Sequence, residues 1–65
     1  MKVQYDPQVD VLSILLSDGP VAESDETSPG VILDYDSNGK VVAVEILNAS
    51  KHAENPMNLE YALAS

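Results

Sequence analysis

Short apolar runs separated by turn-forming residues fill the chain from Lys2 to Leu47. Lys2-Val3-Gln4-Tyr5 alternates polar and apolar positions, the two-residue period of a strand. Asp6-Pro7 interrupts it, because proline has no backbone N–H and aspartate readily starts a turn. A hairpin around Asp6 to Asp10 is predicted, leading into a second strand, Val11 to Leu16. There Leu12, Ile14 and Leu16 share one face and Val11, Ser13 and Leu15 the other. Only Ser13 is polar, so this strand is apolar on both faces, as expected where it is sandwiched or lies at an interface.

Ser17-Asp18-Gly19-Pro20 is a strong turn signal. Val21 to Thr27 carries Glu23, Asp25 and Glu26, too much acid for a central strand. An edge strand with outward charges fits, since edge charges block unwanted pairing, with an irregular loop as the alternative. Ser28-Pro29-Gly30 is a second turn. Val31 to Tyr35 reads as a strand from its β-branched and aromatic content. Asp36-Ser37-Asn38-Gly39 reads as a hairpin loop leading to another strand, Val41 to Leu47. From Asn48 the character changes. Asn48 or Ser50 can cap a short helical turn through Lys51, His52 and Ala53. Asn55-Pro56 looks like a cap followed by proline at the first helical position, so Met57 to Ala64 is predicted to be a helix. The expected architecture is α+β, mainly β. It is an antiparallel meander of four to five short strands over 1–47, with one C-terminal helical segment over 48–65, in one small domain.

Composition changes this picture in one respect. The chain has 65 residues, no Phe, Trp or Cys, and three Tyr. A chain of this size hides only about 60% of the surface its unfolded form exposes. Its core must come from Val, Leu and Ile, with no disulfide to assist. Oligomerisation is the usual remedy, so a homodimer or larger assembly is expected. The net charge of −8 disfavours direct binding to phosphate backbones. No apolar run approaches the roughly 18 residues of a membrane span. No basic stretch of the kind that opens a secretory signal is present, and the expected location is the cytoplasm.

One chemical motif is formally complete. Asp34-x-Asp36-x-Asn38-Gly39, then five residues, then Glu45 satisfies a calcium-loop pattern. Carboxylates at its first, third and twelfth positions would supply hard oxygen ligands. That motif needs flanking helices, and both flanks here alternate like strands. On a strand, Glu45 is carried roughly 20 Å from the loop. The preferred reading is a hairpin that uses the ordinary turn formers, with a weak calcium site made by the loop as the second reading. Asp6, Asp10, Asp34, Asp36 and Glu45 together are the other candidate, as a divalent-metal or acid–base cluster. Glu45 is the most interesting of them, because it sits inside an apolar strand; its alternatives are solvent, or pairing with Lys2 or Lys40. His52 is the only histidine, which cannot build a typical zinc site alone. No serine lies in a nucleophile-elbow sequence, and no phosphate-binding glycine loop is present. No enzymatic activity and no cofactor are expected.

Two blocks of residues carry a family resemblance. The first is Tyr5-Asp6-Pro7 with Asp10-Val11-Leu12-Ser13-Ile14. The second is Val31 to Asp36, then Gly39-Lys40-Val41-Val42, Val44-Glu45-Ile46-Leu47 and Ala49-Ser50. In this order and spacing they resemble the domain of unknown function 2283 family of small bacterial and archaeal proteins. The match covers about residues 5 to 50, with Ser13 in place of a usual Tyr and Ala43 in place of a common Gly. The resemblance implies a compact β-sheet domain with no established activity. Members are often encoded beside a small RNA-cleaving toxin, which implies an antitoxin-like role. The expected function is therefore a non-enzymatic, self-associating protein-interaction module whose further partner is a basic protein such as a toxin. The competing class is a metal-binding or hydrolytic protein using the acidic cluster.

Overall fold

The computed structural model describes residues 1–64. The chain forms an antiparallel sheet of five strands, within the expected four to five, followed by one short helix. The strands are β1 (Lys2–Asp6), β2 (Val11–Leu15), β3 (Glu23–Ser28), β4 (Val31–Tyr35) and β5 (Val41–Leu47), and the helix is α1 (Ala49–His52). Their order across the sheet is β1-β2-β5-β4-β3. Two locally connected pieces are thus present, the β1–β2 hairpin and the β3–β4–β5 meander. They join where β2 pairs with β5, through partners such as Ser13 with Glu45 and Ile14 with Val44.

The connection from β2 to β3 must therefore cross the end of the sheet. It does so over Val42. The backbone N–H groups of Leu16 and Ser17 both donate to the Val42 carbonyl, at 2.8 and 3.2 Å, and Gly19 lies against the Val42 side chain. Among the described residues Val42 is one of two buried apolar residues, at 2% exposure; the other is Ala49, at 0%. Every residue of β3 is exposed, in keeping with an acidic edge strand.

Paired residues in a sheet share a face, and successive residues alternate. One face carries Val3, Tyr5, Leu12, Ile14, Val31, Leu33, Val44 and Ile46. The other carries Val11, Ser13, Leu15, Ile32, Asp34, Ala43, Glu45 and Leu47. The first is called the cleft face below and the second the acid face. Most of these apolar side chains are only half-buried.

The helix departs from expectation. Met57 to Ala64 forms neither helix nor strand, and α1 is a single turn placed earlier. Met57, Leu59, Tyr61 and Leu63 are between 65% and 85% exposed. A helix there would need an apolar stripe buried against the sheet, since isolated short helices are marginal in water. The segment from Ala53 to Leu59 instead stands off the cleft face and leaves a cavity of about 590 Å³, lined also by Val3, Tyr5, Leu12 and Ile14.

The result is a slab of 33 × 33 × 19 Å. Its radius of gyration is 12.6 Å, against about 11 Å for a compact chain of this length. It exposes 5013 Å², where a folded monomer of 7.0 kDa exposes about 4,000 Å².

Candidate functional site

The chemistry-bearing residues fall into three separate places. The first joins the β1–β2 turn to α1. Asp10 adopts a left-handed backbone conformation at φ 58°, which aspartate tolerates better than most residues. Its carboxylate accepts hydrogen bonds from the Tyr5 hydroxyl at 2.7 Å, the Ser50 hydroxyl at 2.6 Å and the Ser50 N–H at 3.0 Å. Its backbone carbonyl accepts the Ala49 N–H at 3.0 Å. Side-chain hydrogen bonds, from Ser50 first and Tyr5 second, hold the Asp10 carboxyl below its ordinary value. The same contact raises the Tyr5 hydroxyl. These are partners for a fixed carboxylate, and they make a structural lock.

The second place lies on the acid face. Asp34 is 7% exposed and accepts a hydrogen bond from the Ser24 hydroxyl at 2.6 Å. Glu45 sits diagonally across from it, because Asp34 pairs with Ala43 and Glu45 with Ile32. Glu45 is half-buried between Ser13 and Ile32. Burial pushes its carboxyl above the ordinary value, and hydrogen bonding to Asp34 and repulsion from its charge add to the rise. Antiparallel pairing therefore brings Asp34 and Glu45 together, correcting the expectation that the strand would carry Glu45 away from Asp34. The protonated form of Glu45 is the one this environment favours, as a like charge nearby disfavours a second ionised carboxylate. Neither Lys2 nor Lys40 contributes to the shift at Glu45.

The third place is the β4–β5 turn. Asp36 Oδ1 accepts the N–H groups of Asn38 and Lys40, each at 2.9 Å, and Gly39 takes φ 78°. Asp36 is thus engaged by its own turn, the Asx arrangement that aspartate commonly makes. Asp6 does the same one hairpin earlier, accepting the Gln8 N–H at 2.9 Å. Of the calcium pattern, Asp34 and Glu45 meet on the acid face, while Asp36 and Asn38 belong to the turn. Among the described residues, no group of three or more His, Asp or Glu side chains is placed to hold a metal ion. His52 is exposed at the end of α1, where its ring faces Gly30. No described helix is long and apolar enough to cross a membrane.

The residues that carry the family resemblance thus make a lock, a carboxyl pair and two turns. The sequence alone did not indicate the lock. Asp10 and Ser50 are 40 residues apart, and no local spacing links them.

Residues 2–50 match a family described as "Protein of unknown function (DUF2283)", and the chain belongs to that family. An uncharacterized protein of Methanocaldococcus jannaschii is 37% identical over 51 residues, which cover 78% of this chain and 43% of that protein. The chain thus spans less than half the length of that relative. No solved structure matches it.

Proposed function

We propose that this chain is a non-enzymatic protein-interaction module that self-associates through its sheet. One observation supports this most: the sheet is a single layer whose apolar side chains are left half-covered. The surface in excess of a compact monomer is on the order of 1,000 Å², close to the roughly 800 Å² per partner that a standard interface hides. Among the described residues two apolar ones, Val42 and Ala49, are buried, a small core for residues 1–64. A second copy packed on the cleft face supplies what the chain lacks. A melting temperature that rises with protein concentration between about 1 and 100 µM is the expected result, because association stabilises only the folded state. A melting temperature independent of concentration contradicts it.

The finer reading is an antitoxin-like role. β3 offers Glu23, Asp25 and Glu26 on a fully exposed edge of a chain with net charge −8. Such an edge attracts a basic protein and speeds its docking. Co-expression with the product of the adjacent gene tests this. Co-purification that weakens when Glu23 and Glu26 are changed to Gln supports it, and separate elution of the two proteins sinks it.

A further inference from the structure

A sheet ordered β1-β2-β5-β4-β3 has two open edges, β1 and β3. β1 pairs with β2 and β3 with β4, each on one side, so alternate backbone N–H and C=O groups of both strands point outward. The two edges differ in charge. β3 carries Glu23, Asp25 and Glu26, all exposed. Two copies of β3 laid antiparallel and centred on Ser24, Asp25 or Glu26 put acid opposite acid each time: Glu23 opposite Asp25, Asp25 opposite itself, or Glu26 opposite itself. Like charges directly opposed are destabilising. β1 reads Lys2-Val3-Gln4-Tyr5-Asp6 and holds one of the chain's 3 cations.

β1 is complementary to itself. Laid antiparallel on a second β1 and centred on Gln4, it sets Lys2 opposite Asp6, Val3 opposite Tyr5, and Gln4 opposite its counterpart. This register uses all 5 residues of the strand. Centring on Val3 instead opposes Lys2 to Gln4, and centring on Tyr5 opposes Val3 to Pro7, so both forfeit the ion pairs. Opposed residues share a face, so the Lys2–Asp6 pair lies on the acid face and occurs twice by symmetry; both side chains are exposed there. Asp6 is oriented by its own turn, where one carboxylate oxygen accepts the Gln8 N–H at 2.9 Å. Val3 with Tyr5 is a favourable pairing of β-branched and aromatic side chains on the cleft face. Tyr5 is held in place by its 2.7 Å bond to Asp10. On the same side, Met1, Leu59 and Tyr61 border Val3 and present exposed apolar surface along this edge.

We propose that two copies of this chain join β1 to β1 in this register, making one continuous antiparallel sheet with a β3 strand at each end. The occupant of the edge is therefore a second copy. This rests on the self-association proposed above and gives it a strand and a register. The partner meets the cleft face at its β1 margin, where Met1, Leu59 and Tyr61 of the two copies come together across the two-fold axis. The arrangement is isologous and closes at two copies, because its far edges are the acidic β3 strands, whose like charges oppose further pairing.

Two charge reversals in the full-length chain test the register. Lys2→Glu puts an acid opposite Asp6, and Asp6→Lys puts a base opposite Lys2. Each variant alone is expected to dimerise roughly tenfold more weakly than the natural chain. Mixing the two restores opposite charge in both pairs, so mixed dimers of near-natural affinity are expected. Asp6→Lys is the sharper arm, because it brings the net charge of −8 nearer zero. General repulsion between copies then predicts tighter association, where the paired edge predicts weaker. Tighter or unchanged association of Asp6→Lys, or no gain on mixing, overturns the edge pairing. The chain has no cysteine, so Gln4→Cys adds a reading independent of charge. Directly opposed Cα atoms lie about 4.5–5.5 Å apart, within reach of a disulfide. Gentle oxidation should link two Gln4→Cys chains and leave Asp25→Cys chains, altered on the other edge, unlinked. A dimeric mass without the Gln4→Cys link, or with the Asp25→Cys link in its place, overturns the edge pairing and leaves self-association standing. A monomeric mass at all concentrations overturns both.

Discussion

The hydroxyl of Ser50 donates to the carboxylate of Asp10 at 2.6 Å, across 40 residues of sequence. This contact, with the Ser50 N–H at 3.0 Å, ties the single helical turn to the β1–β2 hairpin. Ala49, beside it, is fully buried and bonded to the Asp10 carbonyl. The Asp10-to-Ser50 relation thus ties the β1–β2 turn to the C-terminal end of the family's matched region.

Removing the Ser50 hydroxyl should loosen that clasp. Ser50→Ala is expected to lower the melting temperature by about 5 °C, the shift that loss of one net hydrogen bond brings in a domain of this size. Ser50→Thr retains the hydroxyl and should lose less. Asp10→Asn should cost less than Asp10→Ala, because asparagine accepts one of the bonds and tolerates the left-handed backbone. Equal melting of Asp10→Asn and Asp10→Ala would count against the lock.

Acid titration separates the two carboxyl sites by sign. The Asp10 carboxyl is held below its unfolded value, so its contribution is present above the ordinary aspartate value and disappears as pH falls through the lowered one. The Glu45 carboxyl is raised, so the folded chain prefers it protonated. Its favourable contribution is complete below the ordinary glutamate value and is lost as pH rises through the raised one. Glu45→Gln keeps a donor toward Asp34 without the charge. Its melting temperature should match that of the natural chain near pH 4 and exceed it near pH 7. A difference that is the same at both pH values contradicts the carboxyl pair.

Two glycines share a left-handed conformation and differ in their surroundings. Gly30, at φ 80°, has the Leu47 carbonyl oxygen 3.1 Å from where a Cβ would sit; Gly39, at φ 78°, has open space. Gly39→Ala should cost about 1 kcal/mol, the backbone strain alone. Gly30→Ala should cost about 2 kcal/mol or more, since the neighbour is backbone and must shift. Urea denaturation measures both, and an equal cost would show that the Leu47 carbonyl gives way freely.

The metal reading also has a direct check. A cation held only by the folded state must raise the melting temperature at saturating concentration. Melting in millimolar Ca²⁺, Mg²⁺ or Mn²⁺ should equal melting in chelator, because Asp34 and Glu45 pair with each other and Asp36 serves its own turn. A clear rise with any of the three would reinstate the acidic cluster.

The strands were legible because their signals are local. Val41 to Leu47 alternates, Asp36 to Gly39 marks a turn, and the acids of Glu23 to Glu26 mark an edge. The pairing of β2 with β5 was not legible, since nothing near Val11 or Leu47 names a partner more than thirty residues away. The misread helix has a specific cause. Met57, Tyr61 and Ala64 fit a helical stripe behind Asn55-Pro56, yet Met57, Leu59, Tyr61 and Leu63 equally fit a two-residue period. Local pattern could not choose between them, and the chain's own sheet supplies no surface that fixes a helix there. Likewise Asp34 and Glu45 stand out in the sequence as carboxylates within apolar strands, but their meeting depends on strand register, which sequence spacing does not display.

Self-association is tested most directly by the mass in solution, measured by light scattering through a dilution series. A mass twice that of the 7.0 kDa chain, falling toward the monomer only at low concentration, is the expected result. A stable monomer across the whole range, with unchanged circular dichroism, would mean that this thin sheet stands alone and would contradict the proposed function.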